Sequence, residues 1–280
     1  MGLTEKRNIR IAVIDLYEGF QNQGMRCIQE IVAKWATENE TPYTYHTFDL
    51  RQKMAIPDTS YDVYISSGGP GSPLESEGQD WDNAYIHWLQ QMEAWNSNER
   101  NTNKKHVFFI CHSFQIACRH YQVGNVCIRK STAFGVFPVH CLVEGINEKV
   151  FAGLNDPFYA VDSRNYQVIE PNYTKLNEIG GQILAIEKDR PHVAYERAIM
   201  SIRFNEYFIG AQFHPEADPL GMSLYLQQAN RKKTVIENHG EAKWKSMLAQ
   251  LQDPEKIKLT YNSILPNFLN LALKDLISVA

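Results

Sequence analysis

V-F-F-I-C-H-S-F-Q, residues 107–115, is the stretch from which the rest of the chain can be read. Its first four residues are apolar and have the length of a strand buried in a parallel sheet. The apolar run stops at Cys111, and residues 113–121 then read as a helix. Strand, abrupt cysteine, helix is the geometry of a nucleophile elbow, in which a sharp turn lifts one side chain above the sheet. The same turn puts that side chain at the positive end of the following helix, a field that favours thiolate over thiol. Buried cysteines are more often inert packing residues, so the chemistry of Cys111 depends on what else the chain brings to it.

Upstream, residues 10–16, 43–50 and 61–66 read as strands. Between the first two, residues 23–35 set Met25, Ile28, Ile31, Val32 and Trp35 on one helical face. The third strand runs into Ser67-Gly68-Gly69-Pro70-Gly71-Ser72-Pro73, where little except backbone can face a ligand. An amphipathic helix at 81–95 and a polar linker at 96–105 lead to the elbow strand. Strands alternating with helices predict an α/β fold with a mostly parallel, doubly wound, flavodoxin-like sheet. Ligands bind such sheets beyond the carboxyl ends of the strands, where the glycine-rich loop and Cys111 both fall.

Downstream the pattern changes. Residues 134–143, 157–168, 181–187, 198–204 and 207–213 are strand-like and closely spaced, which predicts an antiparallel extension. Helices follow at 220–236, 241–251 and 255–277. In the last, Ile257, Tyr261, Ile264, Phe268 and Ala272 share a face, and Pro266 is expected to kink or break it. The chain therefore divides into an α/β domain at 1–218 and a helical C-terminal extension at 219–280 packed on it.

The 280 residues are 44% hydrophobic and 21% charged, ordinary for a soluble globular chain. A net charge of -4 gives no reason to expect nucleic acid or a membrane surface as partner. No apolar run reaches the length of a membrane span, and the first ten residues lack the apolar core of a signal peptide. Five cysteines, an odd number without a pairing pattern, predict reduced thiols in a cytoplasm. Neither C-x-x-C nor H-x-x-x-H spacing is present, so no metal site and no cofactor are expected.

G-A-Q-F-H-P-E at 210–216 is the second stretch with chemistry in it. His214 and Glu216 lie at i and i+2, and in extended chain they project to the same side, with Pro215 stiffening the turn. A histidine facing a cysteine serves as its base, and a carboxylate behind the histidine fixes its tautomer. Thiolate attack on an acyl carbon also needs N–H donors for the oxyanion. The backbone N–H of His112 is one candidate, and an N–H of the Gly68-Gly69 loop is another; a plain tight turn is the alternative for that loop. The His112 side chain either contacts substrate or caps the site. Cys27, Cys118, Cys127 and Cys141 read as structural.

On these motifs the sequence resembles the class I glutamine amidotransferases. That family has a Gly-Gly-Pro oxyanion loop, a G-x-C-x-G-x-Q elbow and a late F-H-P-E. The matches are Gly68-Gly69-Pro70, Cys111 with Gln115, and Phe213 to Glu216, over roughly residues 10–216. The resemblance implies a Cys111–His214–Glu216 triad that attacks the side-chain amide of glutamine, releases ammonia and hydrolyses a glutamyl thioester. It also implies that Gln115 and the backbone around the 163–166 segment, at Ser163 and Arg164, help hold the substrate. About 65 residues after Glu216 are too few for a synthetase domain, so the ammonia acceptor is expected on a separate chain, in a GMP synthase-like arrangement. Phe109 and Ser113 stand at the elbow glycines, and Ser163-Arg164 replaces a Ser-His pair. Phe109 is expected to hold the oxyanion loop out of register until a partner closes it. A second similarity, to homoserine O-acyltransferases of the same fold, rests on F-F-I-C at 108–111, F-G-V-F at 134–137 and D-S-R at 162–164. That family has H-S-R in the last place, and its substrate-binding arginine after H-P-E would be Arg231, several residues late. A pseudo-enzyme that binds without turnover is the remaining alternative.

Overall fold

The computed structural model describes residues 7–20, 22–191, 193–253 and 256–278. The first six residues, read as the lead-in to the first strand, and residue 255, read as a helix start, lie outside the described residues.

The elements run β1 (Ile9–Asp15), α1 (Gly24–Glu38), β2 (Tyr43–Asp49), α2 (Leu50–Lys53), β3 (Val63–Ser66), α3 (Asp80–Ser97), β4 (His106–Ile110) and α4 (His112–Tyr121). There follow β5 (Asn125–Cys141), α5 (Val143–Ile146), β6 (Phe158–Ile169), α6 (Tyr173–Ile179), β7 (Gln182–Glu187), β8 (Ile199–Arg203) and β9 (Phe208–Ala211). The chain ends in α7 (Pro219–Gln227), α8 (Ala229–His239), α9 (Glu241–Leu251) and α10 (Ile257–Ser278). The strands form one sheet in the order β2-β1-β3-β4-β9-β8-β7-β5-β6. Pairing is parallel from β2 through β4 to β9 and antiparallel from β9 onward. The fold is thus the expected α/β one, a doubly wound parallel core with an antiparallel extension. No helix among the described residues is long and apolar enough to cross a membrane.

Alternate residues of each central strand feed opposite faces of the sheet. Phe108 and Ile110 join Ile28, Ile31, Val32 and Trp35 of α1 and Ile264, Phe268 and Ala272 of α10. Val107 and Phe109 join Tyr85, Trp88 and Leu89 of α3 and Phe114 and Ile116 of α4. A third cluster packs α7, α8 and α9 on β5 and β6 through Val136, Val161, Met222, Leu226, Val235 and Met247.

Three expectations change. Residues 220–236 form two helices, not one, because the backbone at Gln228 is extended (φ -58°, ψ 131°) and no glycine or proline marks the break. Pro266 does not break α10. The roughly 3 kcal/mol it costs in a helix interior is offset by burial of Ile264, Leu265, Phe268 and Leu269, each worth about 1.5–3 kcal/mol. The strand read at 134–143 starts at Asn125, and its pairing with β6 breaks register between Ile128 and Ala133. Phe109, at the elbow glycine position, is fully buried. Its ring packs edge-on against Phe204 and Phe208, and its strand neighbour is Gly210.

Gly210 makes the room that a bulky residue at 109 takes up. A Cβ there would lie 2.8 Å from Phe114 Cδ2 and 3.1 Å from Phe109 Cβ. Gly210→Ala is therefore expected to destabilise the protein by about 1–3 kcal/mol through overpacking. Denaturant unfolding checks this, and the double variant Gly210→Ala/Phe109→Leu should recover part of the loss.

Candidate active site

The chain end of β4 delivers Cys111 in the strained backbone expected of an elbow, with φ 50° and ψ -96°. Its N–H donates to the carbonyl of Ala211 at 2.7 Å, so the cysteine stands beside the end of β9. Ser113, at a glycine position of the resembled elbow, is fully buried and hydrogen-bonded. It accepts from the N–H of Ile110 at 2.8 Å and donates to the carbonyl of Ser66 at 2.9 Å. The hydroxyl thus ties the ends of β3 and β4 together below the cysteine.

Three residues past β9, the N–H of His214 donates to the carbonyl of Val161 at 2.8 Å, a single antiparallel bridge to β6. The chain then turns at Pro215 rather than continuing extended, and the N–H of Ala217 donates back to the carbonyl of His214 at 3.3 Å. The turn brings Glu216 Oε1 to 2.8 Å from His214 Nδ1. Glu216 is 1% exposed, so the carboxylate end of this pair is buried, while His214 is partly exposed. Burial opposes charge on His214, but Glu216 and Cys111 beside it prevail and hold its pKa well above the usual histidine value. The imidazolium is the favoured form. The Cys111 thiol also lies 3.8 Å from the carbonyl of Ser163 and 3.7 Å from the side-chain amide of Gln212.

The glycine-rich loop crosses in front of this group. A Cβ on Gly68 would lie 2.9 Å from His214 Cε1, 3.4 Å from the Tyr17 hydroxyl and 3.6 Å from Cys111 Cβ. At Gly69 a Cβ would lie 2.4 Å from the carbonyl oxygen of Leu16. Arginines hold the loop from both sides. Arg51 donates to the carbonyl of Pro70 at 2.6 Å and lies over the Trp81 ring. Arg119 donates from Nη1 to the carbonyl of Pro73 and from Nη2 to both carboxylate oxygens of Asp82. Gly68→Ala is expected to lower turnover about 100-fold while leaving the melting temperature nearly unchanged, because it displaces His214 rather than the core. Parallel activity and melting measurements check this.

His112 is 2% exposed and leans on Trp81. Burial, then the charges of Arg51 and Arg119, bring its pKa down to about 3, so its ring is neutral. Gln115 is committed within the protein, donating to the carbonyl of Tyr166 at 3.3 Å and to Gln212 at 3.1 Å. Residues 163–166, whose backbone is expected to hold substrate, border the cavity, and the Arg164 guanidinium is hydrogen-bonded within the protein. It donates to Asp162 at 2.9 Å and to the carbonyl of Tyr166, and lies 3.5 Å from Glu187. Arg231 lies on α8 and its side chain is outside the described residues.

Sequence reading missed Tyr17 and Gln212. Burial first, then Glu216 and Cys111, raise the Tyr17 pKa well above the usual value, so its hydroxyl keeps its proton. Gln212 sits inside the G-A-Q-F-H-P-E stretch, two residues before His214, and that closeness was the available signal. Cys111, His112, Gln115, Ser163, His214 and Glu216 border one cavity of about 550 Å³, to which α7 and α8 also contribute residues.

The sequence model described as "Glutamine amidotransferase class-I" matches residues 12–240. A homoserine O-acetyltransferase of Acetivibrio thermocellus is 28% identical over 148 residues, 53% of this chain and 44% of that one. The corresponding enzyme of Clostridium tetani is 23% identical over 205 residues, 66% of this chain and 64% of that one. The chain thus spans roughly half the length of these curated relatives. In fold it is similar to a glutamine amidotransferase of Thermotoga maritima, with a TM-score of 0.65 and 14% identity over 95% of this chain and 98% of the other. With the match covering most of its length, the chain belongs to the class I glutamine amidotransferase family.

Proposed function

We propose that the chain is a cysteine-dependent amidohydrolase of glutamine type, with Cys111 as nucleophile, His214 as base and acid, and Glu216 as the residue that orients His214. The observation that carries this is His214 held between Cys111 and a buried Glu216, at an elbow whose cysteine has positive φ. The thiol proton rests on His214, and the Cys111 thiolate adds to the amide carbonyl. The backbone N–H of His112 and an N–H of the Gly68-Gly69 loop face the oxyanion. As the C–N bond breaks, His214 returns its proton to the nitrogen and ammonia leaves. Water deprotonated by His214 then cleaves the thioester. Gln115, the Ser163 carbonyl and the backbone of Arg164 border the substrate, and Pro70 fixes the loop. The ammonia goes to a synthetase on a separate chain.

Steady-state ammonia release from glutamine by the purified chain, with and without candidate synthetases, tests this reading. A second reading, transfer of an acyl group to homoserine through the same cysteine, is favoured by the two homoserine O-acetyltransferase relatives. Free CoA from acetyl- or succinyl-CoA plus homoserine, with no ammonia under any condition, would replace the first reading by the second.

A further inference from the structure

We propose that Gln212 is a further catalytic residue, whose side-chain amide donates an N–H to the Cys111 sulfur and favours its thiolate, and that Gln115 positions this amide from behind. This rests on the reading of Cys111 as nucleophile and adds the neutral group that answers the charge on its sulfur.

Which atom of Gln212 faces the sulfur follows from a chain of hydrogen bonds. A backbone carbonyl can accept but not donate. The carbonyl of Tyr166, on β6, therefore draws the Nε2 of Gln115, 3.3 Å away. The same nitrogen lies 3.1 Å from the Oε1 of Gln212, which accepts from it. The Nε2 of Gln212 is left facing Cys111, 3.7 Å from Sγ. Turning the Gln212 amide over would set one NH₂ against another and a carbonyl against the sulfur, leaving buried donors unpaired.

Burial holds the relay in place. Gln212 is 0% exposed and Gln115 3%. The backbone N–H of Gln212 also donates to the carbonyl of Met200, on β8, at 2.8 Å. The amide is thus fixed before any substrate arrives, which is the condition for electrostatic stabilisation at little reorganisation cost.

The other neighbours of the sulfur leave this role to be filled. The carbonyl of Ser163, 3.8 Å from Sγ, can accept from a thiol but opposes a thiolate. Among the described residues, His214 and Glu216 past β9 and Tyr17 past β1 are the titratable groups of the cluster, and the Tyr17 hydroxyl keeps its proton. His112, which is neutral, and Cys27, which is protonated, also border the cavity. An N–H donor bonds a charged acceptor more strongly than a neutral one, so the Gln212 amide tips the sulfur toward thiolate. It serves twice. In thioester cleavage the oxygen of water bonds to the acyl carbon, a water proton goes to His214, and the C–S bond breaks with its electron pair on sulfur. The Gln212 N–H receives that charge.

The test is the rate at which iodoacetamide alkylates Cys111 in the purified full chain, read on the Cys111 peptide by mass spectrometry from about pH 4 to 10. No substrate is needed. Gln212→Met keeps the length of the side chain and removes the donor. It should raise the pH midpoint of the rate by about one to two units, the worth of a hydrogen bond to a charged atom, and slow alkylation about 10–100-fold below both midpoints. Gln212→Glu sets a carboxylate against the sulfur and should raise the midpoint at least as far. Gln115→Met should raise it less, and the double variant Gln115→Met/Gln212→Met no further than Gln212→Met alone, because both act through one N–H. A packing defect would lower the melting temperature without moving the midpoint. Should Gln212→Met fail to fold, Gln212→Glu and Gln115→Met decide. An unmoved midpoint in a folded Gln212 variant, with Cys111 still alkylated, overturns this inference and leaves the amide-cleaving reading standing. Shifts that simply add in the double variant overturn the part given to Gln115. A wild-type Cys111 that resists alkylation at every pH overturns both the inference and the nucleophile on which it rests.

Discussion

Replacing Cys111 by alanine is expected to abolish both turnover and covalent labelling by a glutamine-analogue electrophile. The loss in kcat should be on the order of 10⁴–10⁶-fold, as for nucleophiles of other triads. Among the thiols, Cys111 alone joins positive φ, a helix N-terminus and a histidine partner. Cys27 also borders the cavity, but burial, then the charge of Asp218, push its thiol up to about 12, so it stays protonated and unreactive. Cys118 is fully buried, and burial raises its pKa well above the usual thiol value. Cys141 is pushed up to about 11, again first by burial. Mass spectrometry of the labelled peptide decides the matter. An adduct concentrated on Cys118 or Cys127 would remove Cys111 from the nucleophile's role.

Much of this site was legible because its residues sit at strand ends, where apolar runs stop. Residues 107–110 are entirely apolar and Cys111 is the first residue after them, so the elbow could be read from composition alone. The proximity of His214 and Glu216 was read as well, though by the wrong local geometry. An i, i+2 pair in extended chain was expected, and a turn at Pro215 brings them together. Departures from motif were harder to weigh. Phe109 looked obstructive in one dimension, because its compensation, Gly210, is about a hundred residues away and adjacent only through parallel pairing of β4 with β9. Arg164 had the opposite fate. Its backbone segment was expected near the substrate, and only the fold reveals that its guanidinium is taken up by Asp162 and by Glu187 on another strand. Tyr17 follows β1 without any motif around it, so its place beside Gly24 and Gly68 could not be anticipated. The split between α7 and α8 carried no punctuation residue, and tertiary packing alone decides it.

Replacing His214 by alanine should cost nearly as much as losing the cysteine, on the order of 10⁴-fold or more in kcat, because no other group is placed to move the proton. Glu216→Gln should cost less, about 10²–10⁴-fold, since the imidazole remains but loses its orienting charge. The pH profile separates this from a merely structural effect. Burial works against a charged His214, and Glu216 is the larger of the influences that overcome it. Removing that charge lowers the histidine pKa. Proton return to the departing amine needs the imidazolium, which is lost as pH rises through that pKa. The alkaline limb of kcat should therefore move to lower pH in Glu216→Gln. Stability follows with the same sign. Because the folded pKa is raised, the contribution of His214 to stability is complete below about 6.5, the unfolded value, and fades as pH rises through the folded one. In Glu216→Gln that contribution should end at a lower pH. Thermal melting and kcat, measured together between about pH 6 and 10, check both shifts. An alkaline limb that stays in place when Glu216 is neutralised would mean that Glu216 does not govern the proton on His214.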